Sequence, residues 1–247
     1  MTLSAPDKPA AEAAPVPEES RARHGNALRA GVLGSTDGLV SNLSLVAGVA
    51  GAGAPHQAIV VAGVAGLVAG SLSMALGEYL SVQSARELLA NELVIEAGQL
   101  AASPDSEVVE LRAIYERKGI PAPMAAELAE HMVRSDPKLA LDTMAREELG
   151  FDPDELGGSP WVAAMTSLVL FATGAFVPLL PFLLTGGQAA LIAAAGLSAV
   201  AIFALGAGIT RLTGVHPVRS GLRQLAFGAA AASITYGIGV VIGSSLR

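Results

Sequence analysis

Several side chains in this sequence combine type and spacing in ways that suit a divalent cation. Asp37, Met74 and Glu78 stand in or beside long apolar runs. Glu78 follows Met74 by four residues, one helical turn. Glu92 and Glu96 are i, i+4, Glu107 and Glu110 are i, i+3, and Met144 and Glu148 are i, i+4. On helices each pair shares a face. Carboxylates crowded on facing helices repel one another unless a cation neutralises them, which is how a divalent site is built inside a helix bundle. A carboxylate beside a thioether suits a metal that is neither very hard nor very soft, such as Fe²⁺. Each residue also has a plainer reading. Asp37 could be an interfacial acid near Arg29 that caps a break at Gly34–Gly38, Met74 could be core filler, and Glu78 could reach to the interface. The acidic pairs could form a solvated face.

The elements that must position these groups follow from the charge distribution. The chain has 247 residues, of which 52% are hydrophobic and 15% charged, a net charge of −7 and a mean hydropathy of +0.54. A soluble domain carries about a quarter charged residues, so a membrane protein is expected. Gly38–Gly77, Leu156–Thr210 and Gln224–Leu246 contain no Asp, Glu, Lys or Arg. With about 20 apolar residues per crossing, they give five spans, at 28–51, 57–79, 160–184, 188–210 and 220–244. Asp37 then sits roughly 13 Å into the first span and Met74 roughly 9 Å into the antiparallel second, so both can lie at comparable depth. A carboxylate at that depth is costly and by default functional.

Ser84–Gly158 separates spans two and three and carries a net charge of −9. Val108, Leu111 and Ile114/Tyr115 recur at helical spacing, and Ser103-Pro104, Gly119–Pro121 and Asp136-Pro137 read as breaks and helix starts. The pattern predicts that span two continues to about 102 and that helices follow at 105–118, 122–134 and 137–149. Arg112, Arg117 and Lys118 read as ion-pair partners of the surrounding acids.

Arg21, Arg23 and Arg29 precede span one, and Arg211, Arg219 and Arg223 lie between spans four and five; the loops at 51–57 and 185–188 have no Lys or Arg. Five spans put both basic segments and the acidic insert on one side, which the positive-inside rule makes cytoplasmic. The expected organisation is an all-α membrane protein. A disordered cytoplasmic tail (1–24) precedes spans one and two (25–83), an acidic helical domain (84–158) and spans three to five (159–247). Gly34/Gly38, Gly63/Gly66/Gly70 and Gly239/Gly243 allow close helix approach, either in a dimer seam or within one chain.

Other chemistries find less support. There is no Cys, which excludes thiolate sites and cysteine nucleophiles. His24, His56, His131 and His216 do not pair at ligand spacing. No Glu-x-x-His pair, the mark of di-iron bundles, occurs, which weighs against an iron-oxidising protein. No Walker-type loop supports ATP drive, and the acidic balance argues against a nucleic-acid partner.

Ser35–Gly48, in the form Ser-Thr-Asp-Gly-Leu-Val-Ser-Asn, resembles the first-helix motif of the vacuolar iron transporter family, and Ala69–Ser81, containing Ser-Met-Ala-Leu-Gly-Glu-Tyr, resembles its second-helix signature in bacterial form. Ala113–Gly119, Arg146–Gly150 and Val177–Pro181 match as well, and the similarity covers about 25–245. The resemblance implies a homodimer of five-span subunits that moves Fe²⁺, or Mn²⁺, out of the cytosol in exchange for protons. The metal is a substrate, no cofactor stays bound, and the chain is not an enzyme. Asp37 and Met74 match the family's pathway residues; a plant-type glutamate falls at Gly66, with Glu78 a candidate replacement. The family's cytoplasmic metal ligands fall on Glu96, Glu107, Glu110, Met144 and Glu148, and one further glutamate falls at Gln99. An amide is the weaker ligand for a hard cation, so fewer or more weakly held ions are expected. The Ala/Gly-rich composition favours a bacterial plasma membrane, with a vacuolar membrane as the alternative. A membrane-anchored iron-binding or iron-oxidising protein is the alternative function.

Overall fold

A computed structural model describes the backbone of residues 18–154 and 157–245, with side chains from Leu33 onward except at 212 and 213. Every regular element among these residues is helical. In chain order they are α1 (Glu18–Gly51), α2 (His56–Ala102), α3 (Pro104–Arg117), α4 (Ala122–Val133), α5 (Pro137–Met144), a π-helical turn (Ala145–Leu149), α6 (Pro160–Leu184), α7 (Gly187–Gly208), α8 (Thr210–Thr213) and α9 (Pro217–Ser245). The boundaries follow local chemistry. Proline, whose missing N–H is harmless in a first turn, opens α3, α5, α6 and α9. The Asp136 carboxylate caps α5, accepting from the backbone N–H groups of Lys138 and Leu139 at 2.9 and 3.4 Å.

Among the described residues, α2, α6, α7 and α9 are long and apolar enough to cross a membrane. The fifth expected span, on α1, is outside that set. The α1 helix begins at Glu18, ten residues before the expected start of span one and inside the segment expected as a disordered tail; residues 1–17 of that tail lie outside the described residues. The 47 residues of α2 correspond to about 70 Å of helix, more than twice the roughly 30 Å hydrocarbon core. Its apolar half suits a membrane and its half beyond Ser84, which holds Glu87, Glu92 and Glu96, suits water.

The chain forms two compact units. One comprises the described part of Met1–Val60 with Gly174–Arg247; the other is Val61–Thr173. The second is therefore wider than the acidic insert proper. Its extra length takes in parts of α2 and α6, which meet at a few points. Phe171 lies where a side chain on Gly70 would have to go, Tyr79 meets Trp161 edge-on at 5.0 Å, and Arg86 donates to the Gly158 carbonyl at 2.7 Å.

In the first unit α1 packs against α7 and α9, and α7 against α9. Glycine makes this closeness possible. A Cβ on Gly239 would collide with the Gly48 carbonyl, and one on Gly243 with Ala52. The Gly239/Gly243 pair thus packs within the chain, as does Gly70. Pro178 inside α6 lacks the N–H that would bond the Gly174 carbonyl. One residue on, the Ala175 carbonyl accepts from Asn42 Nδ2 at 2.6 Å, in the buried interior. Val46, Ile59, Phe182, Ala190 and Ala194 form this unit's apolar cluster.

Gly239→Val should therefore cost about 1–3 kcal/mol by overpacking and lower the thermal midpoint of the detergent-solubilised protein. Gly237→Ala, where an added Cβ meets nothing within 4 Å, should leave it within a degree or two; equal losses in both variants would contradict the α1–α9 packing.

Candidate metal centre

The acidic insert has its own core, made of Leu111, Tyr115, Ala125, Ala129, Val133 and Met144, with Leu100, Val108, Ile120, Leu128 and Met132 packed around it. Its apolar spacing fixes where the acids fall. Leu100 and Leu111 sit four residues after Glu96 and Glu107, so each glutamate shares the face that its helix turns to the core. Glu96 and Glu107 are accordingly 2% and 4% exposed.

The third acid comes from an irregular element. After Met144 the backbone widens into the π-helical turn Ala145–Leu149, which Gly150 closes with a left-handed φ of 75° while the Phe151 N–H bonds the Ala145 carbonyl at 3.1 Å. Single π turns are frequent at functional sites because the extra residue re-aims side chains. Two ion pairs hold this one: Lys118 reaches Glu147 from the end of α3, and Arg146 grips Asp152 at 2.5 and 2.8 Å.

The outcome is a convergence of Glu96 from α2, Glu107 from α3 and Glu148 from the π turn, with one oxygen of each within 4.8 Å of the others. Glu96 Oε1 has no hydrogen-bond partner among the described residues. Burial first, then the charges of Glu148, Glu107 and Glu110, push the Glu96 carboxyl up to about 7. Burial and then Glu110 raise Glu107; burial, then Glu110 and Glu107, raise Glu148. The set is all oxygen and partly solvent-accessible, which suits Mn²⁺, Fe²⁺ or Mg²⁺ in preference to softer ions.

The VIT family matches residues 28–240. The chain belongs to the VIT family. Relatives include vacuolar iron transporter 1 of Oryza sativa subsp. japonica, 32% identical over 87% of this chain and 84% of that protein. Vacuolar iron transporter 1 of Arabidopsis thaliana is 31% identical over 88% and 87%, respectively. The vacuolar iron transporter of Acanthamoeba castellanii is 35% identical over 86% and 77%.

The other residues singled out in this VIT-family chain are placed less compactly. Glu110 is exposed, one turn from Glu107, on the rim of an open groove. Glu92 is half-buried on α2 and is not one of the three converging acids, and Gln99 is exposed on α2. Met144 is fully buried in the apolar core. Met74 and Glu78 are half-buried, one turn apart on α2, and Asp37 is exposed on α1. Arg112 pairs with Glu116 and Lys118 with Glu147, as expected. Arg117 departs from expectation: among the described residues it has no ion-pair or hydrogen-bond partner. Its only signal in the sequence is a position seven residues after Glu110, two turns along the same face.

The raised Glu96 carboxyl has a measurable consequence. The folded state holds a proton up to about pH 7 that an ordinary carboxyl releases near 4.5. The stability this proton confers is complete below the lower value and is lost as pH rises through the higher. In metal-free full-length protein, amide exchange protection of α3 and Ala145–Leu149, corrected for intrinsic rates, should fall between pH 5.5 and 8. Glu96→Gln should flatten that dependence, and Mn²⁺ should restore protection at pH 8.

Proposed function

We propose that this VIT-family chain exports Fe²⁺, with Mn²⁺ as a competing substrate, from the cytosol by proton antiport, as a homodimer of five-span subunits. The convergence of three carboxylates, one of them buried with an oxygen that has no hydrogen-bond partner among the described residues, is the observation that carries the reading. Such a group is stable when protonated or when a cation neutralises it. That is the property wanted of a site that captures a metal and releases it. The relatives' names support iron as the cargo.

The fifth span is the part of α1 that runs without charge from Gly38 to Gly51, with the preceding apolar turns. The basic residues Arg21, Arg23 and Arg29 near the start of α1 and Arg211, Arg219 and Arg223 after α7 support a cytosolic acidic domain, where its −9 charge concentrates cations. From there the metal passes Glu78 and then Met74 and Asp37. A carboxylate exposed on a spanning helix is too costly to leave facing lipid. The exposure of Asp37 therefore supports a second subunit that encloses it, and its protonation on the far side supplies the exchange. Glu110, at the rim, adds charge, and Glu92, Gln99 and Met144 are further ligand candidates around the triad. In a bacterial plasma membrane this direction is efflux; in a vacuolar membrane it is storage.

Proteoliposomes with an internal pH dye test the reading. Wild type should take up Fe²⁺ with matching proton release, and Mn²⁺ should compete. Asp37→Asn should lower the flux at least tenfold and leave Mn²⁺ binding to the cytoplasmic domain intact. Glu96→Gln should raise the metal concentration needed for half-maximal flux. Normal transport by Asp37→Asn would remove that residue from the pathway.

A further inference from the structure

Beside the triad runs an open groove of about 400 Å³ between α3 and the π turn. Glu110, Glu147 and Glu148 line it together with Ser106, an apolar strip of Val109, Ala113 and Ile114, and Arg117. Its two ends differ in chemistry. Glu148 belongs both to the converging carboxylates and to the groove wall, so the groove opens onto the metal site. Arg117 supplies the opposite charge. Glu110 and Arg117 are two turns apart on α3, about 10.5 Å along the axis. Helical side chains lean toward the N-terminus, so a guanidinium at 117 leans toward Glu110.

Nearby bases of this acidic domain are engaged: Arg112 with Glu116, Lys118 with Glu147 and Arg146 with Asp152. Arg117, in the same groove as three glutamates, has no ion-pair or hydrogen-bond partner among the described residues. A guanidinium presents a planar fork that matches a carboxylate in two hydrogen bonds. A bare cation gives it nothing to bind.

We propose that the groove receives the metal as a complex with a small di- or tricarboxylate, the metal meeting Glu148 and Glu110 while a free carboxylate of the chelator is held by Arg117. This rests on the triad being a metal site. It identifies the form in which the metal arrives: a chelate that docks as a ternary complex, after which the metal passes to Glu96, Glu107 and Glu148 and the chelator leaves. The apolar strip along the floor offers little to a hydrated ion and fits the carbon frame of such a chelator.

Equilibrium dialysis of the full-length detergent-solubilised protein tests this with Mn²⁺ and radiolabelled citrate as probes. Wild type should retain citrate only when Mn²⁺ is present. Arg117→Gln should bind Mn²⁺ alone with unchanged affinity and lose at least tenfold in citrate retention. Arg117→Lys, which keeps the charge without the fork, should fall between. With Mn²⁺ bound, absence of citrate retention by wild type, or retention unaffected by Arg117→Gln, would overturn the docking role. Absence of Mn²⁺ binding to wild type would overturn the metal-site reading itself and the docking role with it.

Discussion

A carboxylate that is 2% exposed, beside two others and, among the described residues, without a hydrogen-bond partner for one of its oxygens, is the constraint on which the rest of the acidic domain depends. Burying a charge is expensive unless it is paired, and here the nearest charges have the same sign. Two states relieve the conflict: a proton on Glu96, or a cation among the three oxygens. The protein holds the conflict in place through apolar packing. Leu100, Leu111 and Met144 bury the same faces of α2, α3 and α5 that lead to the acids. Core packing therefore holds the glutamates together.

The length of α2 gives this arrangement its place in the molecule. One uninterrupted helix carries Met74 and Glu78 at its apolar half and Glu96 at its polar half. Alongside it, α6 contributes Trp161 against Tyr79 and Phe171 against Gly70. The remaining unit is built on different terms. Glycine lets α1 and α9 approach until backbone meets backbone at Gly48 and Gly239, the way helices gain contact where apolar burial drives nothing.

Much of this was legible in the sequence because it depends on strong local signals. Proline and Asp136 mark the helix starts, so α3, α4, α5 and α6 begin within a residue or so of expectation. The continuation of span two to residue 102 followed from unbroken helical chemistry, and α2 ends there. What could not be read depends on tertiary geometry. The π turn at Ala145–Leu149 has no sequence signature, and it decides which side Glu148 faces. Regular helical spacing pairs Met144 with Glu148, yet Met144 lies in the core. Glu92 has the right spacing from Glu96 but is not one of the three converging acids. The glycine pairs were ambiguous between seam and core for the same reason: spacing permits closeness without naming the partner. Arg117 escaped because its character lies in what it does not touch.

The most direct test of the central claim is proton release on metal binding. Mn²⁺ would be titrated into the full-length protein at pH 6 and pH 8.5, in buffers of different ionisation enthalpy, so that calorimetry counts the protons displaced. Neutralisation of the buried carboxylates by the metal predicts saturable binding that expels about one proton at pH 6 and close to none at pH 8.5, with the release abolished by Glu96→Gln. Binding that displaces no proton at pH 6, or a release that persists in Glu96→Gln, would contradict it.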